Sequence, residues 1–316
     1  MWASLVAVAR GVQSQMGVLP SAAVANLLGG IIGLVIGVGA GPKTRVEPAC
    51  SPGRASRRSE SRFLGWAPGR RGRVRRMLCL PPDYLLGCGG LFVLYNLSLY
   101  RAIDRAATHA QTIEVGLINY LWPALTLALA VPLLKKRAGA WLWPGLALAT
   151  AGAFWAVSRG SISWTSFRSG LAVNPWPYGL ALTAAASWAL YSNLARRWAA
   201  GTTHGAVPLF LIATGIALGA LHAMTDRYLH LPLSVRAFAE LAYLTLFPTL
   251  LAYVLWDIAM RKGNVILVTS LSFFTPLLST VISCLYLGVP LGGDLLMAAG
   301  LIVAGAVICQ ASVRPR

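Results

Sequence analysis

EVGLINYLWPALTLAL, residues 114–129, carries a glutamate, an asparagine, a tyrosine, a tryptophan and a proline inside one of the longest apolar runs of a 316-residue chain. Hydrocarbon holds no water to satisfy polar groups, so such residues within a membrane span need partners or a function. On an ideal helix at about 100° per residue, Asn119, Trp122 and Thr126 fall within roughly 60° of one another, while Tyr120 points away. Pro123 has no N–H to donate to the carbonyl of Asn119, so that oxygen is freed and the helix is expected to kink. A kinked span with a freed carbonyl on a polar, aromatic face makes a cavity wall. A packing role for Pro123 and a core role for Trp122 explain the same residues equally well.

The rest of the chain has the composition of a membrane protein. It is 57% hydrophobic and only 11% charged, where a soluble domain carries about 25%. Apolar segments fall at 2–17, 20–40, 82–100, 111–134, 140–158, 177–195, 205–223, 237–258, 264–287 and 291–311, and about 18 apolar residues suffice to cross a ~30 Å hydrocarbon core. The first is the poorest, since it is short and contains Arg10. The fold class is therefore an all-α membrane protein with ten transmembrane helices.

The net charge of +18 does not mark a nucleic-acid binder, because Lys and Arg lie between the apolar runs, as topogenic loop charges do. The loops after segments 2, 4, 6 and 8 and the C-terminus hold 20 Lys and Arg; the opposite loops hold 6, with Arg10 set aside. The C-terminus is expected in the cytoplasm. Residues 42–80, rich in Arg, Pro, Gly and Ser, are expected to form a disordered cytoplasmic loop. A tolerated insertion is the preferred reading of this loop, and contact with anionic lipid is the functional one. Cys50, Cys79, Cys88, Cys284 and Cys309 form no CxxC pair and read as free thiols. No phosphate loop, HExxH or GxSxG motif occurs, so neither an ATPase nor a hydrolase is indicated, and no metal or cofactor is expected.

An internal repeat recurs at an offset of 153 residues. Trp122-Pro123 aligns with Thr275-Pro276, and ATAGA at 149–153 aligns with IVAGA at 302–306. Five spans separate the copies, and an odd number inserts them with opposite orientation, the inverted-repeat plan of many secondary transporters. Gly29, Gly33, Gly37 and Gly41 on segment 2, and Gly215 and Gly219 on segment 7, recur at four-residue spacing that lets helices approach closely.

Other spans carry aromatic residues deep in their apolar runs: Tyr95, Trp188 with Tyr191, Tyr253 with Trp256, and Phe274 beside Phe273. Several such rings on different helices suit an apolar, planar or cationic ligand. Charges within the spans are few. Arg10 and Glu114 both lie toward the outer side and are candidates to pair or to couple transport. Asp257 lies near a span end, where loop water is expected to solvate it.

With EVGLINYLWPALT and GNVILVTSLSFFTPLLS in view, together with AATHAQTIEVG, AYVLWDIAM at 252–260 and FFTP at 273–276, the chain resembles the EamA-type branch of the drug/metabolite transporter superfamily. The likeness covers residues 82–312 well and the first two segments more loosely. It implies two inverted five-helix repeats, the first over 1–158 and the second over 177–312, joined by a linker at 159–176. It further implies a central aromatic-lined cavity in a bacterial inner membrane, and export of aromatic amino acids and related compounds by alternating access. On the matching positions Tyr120, Trp122 and Trp188 become the leading substrate contacts. Tyr95, Asn119, Tyr191, Tyr253, Trp256 and Phe274 complete the candidate set, and Pro123 and Pro276 join Arg10 and Glu114 as gating or coupling candidates. Family members carry a Trp-Ser pair near the middle of a whole first span; here Trp2 and Ser4 stand at the very start, so the first helix is expected to be truncated. The expected partners are a small-molecule substrate and the lipid bilayer. Export of aromatic cations or other metabolites is the alternative, and a non-transporting membrane assembly or sensor partner is a third reading.

Overall fold

The computed structural model describes residues 12–37, 77–158, 164–202, 204–225, 234–287 and 293–314. Trp2, Ser4, Arg10 and residues 42–76 of the basic loop lie outside the described residues. The last part of that loop, 77–80, is not disordered as expected: Met77 is buried and Leu80 packs against the main core.

Helices account for nearly all of the described chain. They are α1 (Val18–Ile36), α2 (Asp83–Asp104, opening with a π-helical turn), α3 (His109–Asn119) and α4 (Trp122–Leu133), then α5 (Leu142–Ser158), α6 (Trp164–Val173), α7 (Trp176–Ala199) and α8 (Val207–Thr225). After these come α9 (Val235–Lys262), α10 (Val265–Ser272), α11 (Phe274–Leu287) and α12 (Gly293–Ser312). Residues 137–138 and 313–314 form a minimal antiparallel strand pair, β1 with β2. Among the described residues, five stretches are long and apolar enough to cross a membrane: α1, α2, Ala110–Leu133 across α3 and α4, α8 and α9. The chain is a multi-pass membrane protein. The segment read as a linker, 159–176, carries the ten-residue helix α6.

Sequence chemistry explains the helix ends. Thr108 caps α3 by accepting from the Gln111 N–H at 3.1 Å, and the Gln111 side chain reaches back to the Ala107 N–H, close to a capping box. Asn264 caps α10, and Ser234 caps α9. Within α9, Pro248 has no N–H for the ladder, and the chain takes a π-helical course from Thr245 to Leu251.

Helix α7 is the hub, packing against α2, α3, α4 and α9, while α1 pairs with α8 and α5 with α12. Both outer pairs close on glycines, in a reciprocal way. A Cβ on Gly30 would lie 2.7 Å from the Pro208 carbonyl and 2.9 Å from the Ile212 nitrogen. A Cβ on Gly215 would lie 2.9 Å from the Ala23 carbonyl and 2.7 Å from the Leu27 nitrogen. Ala23, Leu27 and Gly30 stand 185 residues before Pro208, Ile212 and Gly215. In the second pair Gly152 meets Ile302 and Gly305 meets Ala149, an offset of 153. The glycine that matters most on α1, Gly30, is outside the four-residue series seen in the sequence.

The connections sort between two ends. At one end Arg261 bonds Thr202, Tyr84 bonds Ala206, and β1 pairs with β2. At the other, Asn174 bonds the Arg105 carbonyl and Gln111, and Gln15 bonds Ser234.

Candidate functional site

The sequence around Trp188 lets helices converge. Ala184, Ala185 and Ala189 are fully buried small residues one turn around it, so α2, α4 and α9 reach the α7 backbone and leave room for a large ring. Trp188 fills that room and is itself 2% exposed. Its ring centroid lies 4.7 Å from Tyr95, 5.1 Å from Tyr191 and 5.5 Å from Tyr253. Trp256 stacks on it at 5.9 Å, and Trp122 stands edge-on to both tryptophans. Phe92, not singled out in the sequence, lies 4.8 Å from Tyr253 and 6.1 Å from Trp188. Six of the candidate residues, from four spans, thus meet in one cluster.

Two polar edges of the cluster are tied down. Trp256 Nε1 donates to Ser192 Oγ at 3.1 Å, and Tyr253 donates to Asn96 Oδ1 at 3.1 Å. Asn193 on α7 donates to the Thr126 carbonyl of α4 at 2.9 Å, so the polar stripe read on segment 4 faces α7. Asn119 interacts with the Tyr95 hydroxyl, and its buried Oδ1 has no hydrogen-bond partner among the described residues.

The span over 111–134 is broken, and the break sits at Tyr120 and Leu121. Tyr120 N–H donates to the Gly116 carbonyl, Leu121 N–H turns to that of Ile118, and α4 restarts with Pro123 in its first turn. Proline suits a helix start because its missing N–H would have no partner there. Tyr120 is half-buried at the break beside Tyr95, so the ideal-helix geometry that turned it away does not apply. A second break occurs at Phe273, 153 residues after Tyr120, with Pro276 opening α11. Phe274 packs elsewhere, in the cluster that Leu127, Ile266 and Phe273 form with α5 and α12.

Beneath the aromatic cluster lies a polar network that sequence reasoning missed. Asp257 is not solvated; it is 1% exposed, as is Arg261. Arg261 Nε meets Asp257 Oδ2 at 2.7 Å, and Tyr84 and Tyr191 donate to Oδ1 at 2.9 and 3.2 Å. Arg261 Nη1 donates to the carbonyl and hydroxyl of Thr202, Arg196 donates to the Arg261 carbonyl, and the Ala206 N–H reaches the Tyr84 hydroxyl. Gly205 leaves the space: a Cβ there would run into the Asp257 carboxylate and Arg261 Nη2. The signal available in sequence was the acid-to-base spacing of four residues in DIAMR. At the opposite end, Glu114 is 3% exposed and accepts from the Tyr178 hydroxyl. Arg10 lies outside the described residues.

Known proteins agree with a transporter reading of this architecture. The chain is 30% identical over 237 residues to the aromatic amino acid exporter YddG of Ancylobacter novellus, covering 74% of this chain and 77% of that one. It is 29% identical over 320 residues to YddG of Salmonella typhimurium, covering 100% and 95%, and 27% identical over 246 residues to that of Escherichia coli, covering 77% and 80%. A solved crystal structure shares the fold at a TM-score of 0.72 and 23% identity, over 98% of this chain and 93% of its own. The EamA-like transporter family matches residues 175–309, which hold Trp188, Tyr191, Tyr253, Trp256 and the Asp257–Arg261 pair. With those relatives spanning both sides of the aromatic cluster, the chain belongs to the EamA-like transporter family.

Proposed function

We propose that the chain is a secondary transporter that exports aromatic amino acids and related small molecules across a bacterial inner membrane by alternating access. The observation that carries this reading is the convergence of Tyr95, Trp122, Tyr191, Tyr253 and Trp256 around the Trp188 ring deep in the bundle. Ring pairs of this kind are worth about 0.5–1.5 kcal/mol each beyond area burial. A substrate ring that parts them replaces like contacts with like, so accommodation costs little. Asn119 Oδ1, a buried acceptor without a partner among the described residues, suits the substrate ammonium. Names of the relatives support the substrate class.

Alternating access requires two packings of similar energy. Two inverted five-helix repeats, 1–158 and 177–312, would provide them, and the reciprocal glycine contacts and the paired breaks at 120–121 and 273 support that plan. Discontinuous helices at corresponding positions of two halves are a hallmark of transporter sites. The glycine offsets support an insertion as well: 185 less 153 leaves 32 residues of surplus in the first half, where the 42–80 loop lies. In this arrangement the Asp257–Arg261–Tyr84–Tyr191 network closes the end that the Lys and Arg bias assigns to the cytoplasm, and Glu114 with Tyr178 braces the outer end. The test is counterflow of labelled phenylalanine and tryptophan in proteoliposomes, with and without a pH gradient. Exchange of these amino acids is expected; uptake of a quaternary aromatic cation in their place would transfer the site to the alternative substrate class.

A further inference from the structure

One end of the bundle holds a cavity of about 750 Å³ whose wall includes Lys135, Lys136, Arg196, Arg197 and Lys262. The five arrive from three separate places: the turn after α4, the last turn of α7 and the last residue of α9. Among the described residues no carboxylate lines the cavity and none of the five forms an ion pair. The amides of Asn264 and Gln310 are the other polar side chains, and Leu134, Val265, Ile266 and Val313 supply an apolar part.

Charges that only set topology have no need of a shared cavity, because the positive-inside effect acts on each loop by itself. Like charges repel over about a Debye length, ~8 Å at physiological salt, and flexible side chains left alone spread apart. Here the chain does the reverse. Lys135 takes φ 51, the left-handed region that residues with a Cβ disfavour, and the turn it makes leaves two consecutive lysines on the cavity wall. Convergence of this kind is stable when an anion sits among the cations.

We infer that this cavity binds a phosphate-bearing anion. Two arginines offer planar forks that match phosphate oxygens, and the lysines add point charges that tolerate variable headgroup geometry. An apolar part beside a cationic part fits an amphiphile, so an anionic phospholipid headgroup entering from the adjoining leaflet matches the lining better than a small hydrophilic ion. The same end of the bundle is the one the Lys and Arg bias places at the cytoplasmic surface, where anionic headgroups supply a negative potential. The site is separate from the aromatic cluster: none of the rings around Trp188 lines it, and Arg196 joins it to the polar network by holding the carbonyl of Arg261.

The test uses the full chain in mild detergent and native mass spectrometry to count retained lipid, with phosphatidylglycerol and phosphatidylcholine offered at equal ratio. Wild type is expected to retain phosphatidylglycerol selectively. The variant Lys135→Gln/Arg197→Gln/Lys262→Gln is expected to retain about ten-fold less or lower. A matched variant in the basic loop, Arg71→Gln/Arg73→Gln/Arg75→Gln, should behave as wild type. Inorganic phosphate that binds alone and displaces the lipid supports a site for free phosphate groups; phosphate without effect supports the lipid headgroup. Equal retention of the two lipids with no phosphate binding overturns the proposal, and so does an equal loss in both triple variants. Should the first variant fail to fold, Arg197→Gln and Lys262→Gln singly are each expected to lower retention, and unchanged retention in both overturns it.

Discussion

The ring of Tyr191 lies 5.1 Å from that of Trp188, and its hydroxyl donates to the carboxylate of Asp257. One side chain therefore joins the aromatic cluster to the buried ion pair. In the proposed cycle, a substrate ring that displaced Trp188 would press on Tyr191 and loosen its bond to Asp257, which would couple occupancy of the cluster to closure of one end.

Trp188→Ala is expected to abolish export of aromatic amino acids, because it empties the centre that six other rings contact. Trp188→Phe keeps a ring and should retain part of the rate. Counterflow in proteoliposomes, normalised to inserted protein, checks both; full activity of the alanine variant refutes the site.

Removal of one member of the Asp257–Arg261 pair leaves a buried charge alone, at a cost of about 3–5 kcal/mol. Asp257→Ala and Arg261→Ala are each expected to lower the unfolding midpoint in detergent sharply. Asp257→Leu/Arg261→Met, with both charges gone, should recover most of that stability and yet transport poorly, since the closure then lacks its polar lock. Equal stability of the single and double variants would contradict the pairing.

Glycine substitutions should separate by what a Cβ would meet. At Gly30 the obstacles are backbone atoms at 2.7 and 2.9 Å, which cannot rotate away. Gly30→Ala is expected to cost about 1–3 kcal/mol, and Gly215→Ala about the same by reciprocity. Gly219 has open space around it, so Gly219→Ala should be neutral or stabilise by up to about 1 kcal/mol. Thermal unfolding of the three variants in one detergent decides the point.

Asn119→Leu removes the buried acceptor beside Tyr95. A hydrogen bond to a charged group is worth about 1.5–3 kcal/mol, so the half-saturating substrate concentration should rise about ten-fold or more. Concentration dependence of counterflow measures it, and an unchanged value would remove Asn119 from the site.

Tyr178→Phe takes a donor from the buried carboxylate of Glu114. The expected loss is about 1–3 kcal/mol, the cost of stripping a buried polar group of a partner. Glu114→Gln in the same background should restore much of it, since a neutral amide is cheaper to bury than a carboxylate. Unfolding midpoints of the single and double variants test this.

Much of the site could be read from the chain because hydropathy and residue type are local. Ten apolar segments, the Trp-Pro and Thr-Pro landmarks, the 153-residue offset and the deep aromatics all stand in the sequence, and six of those aromatics meet in space. Three readings failed for want of neighbours. Tyr120 was turned away by an ideal helix that the chain does not keep, since a break lies at that residue. Phe274 was grouped with the other rings by type, but it packs against α5 and α12. Asp257 looked solvated because it lies near a span end, whereas Tyr84, Tyr191 and Arg261 enclose it.

By itself the sequence determined that this is a multi-pass helical membrane protein, because transfer of apolar side chains into hydrocarbon is additive along the chain and needs no partner. Only the tertiary structure decided that Trp188 is the centre, that Gly30 rather than its four-residue series meets the Pro208–Ile212 backbone, and that Asp257 is sealed with Arg261. Ring contacts, backbone approach and the pairing of buried charge are properties of two or more segments at once, and their energies exist only after those segments have met.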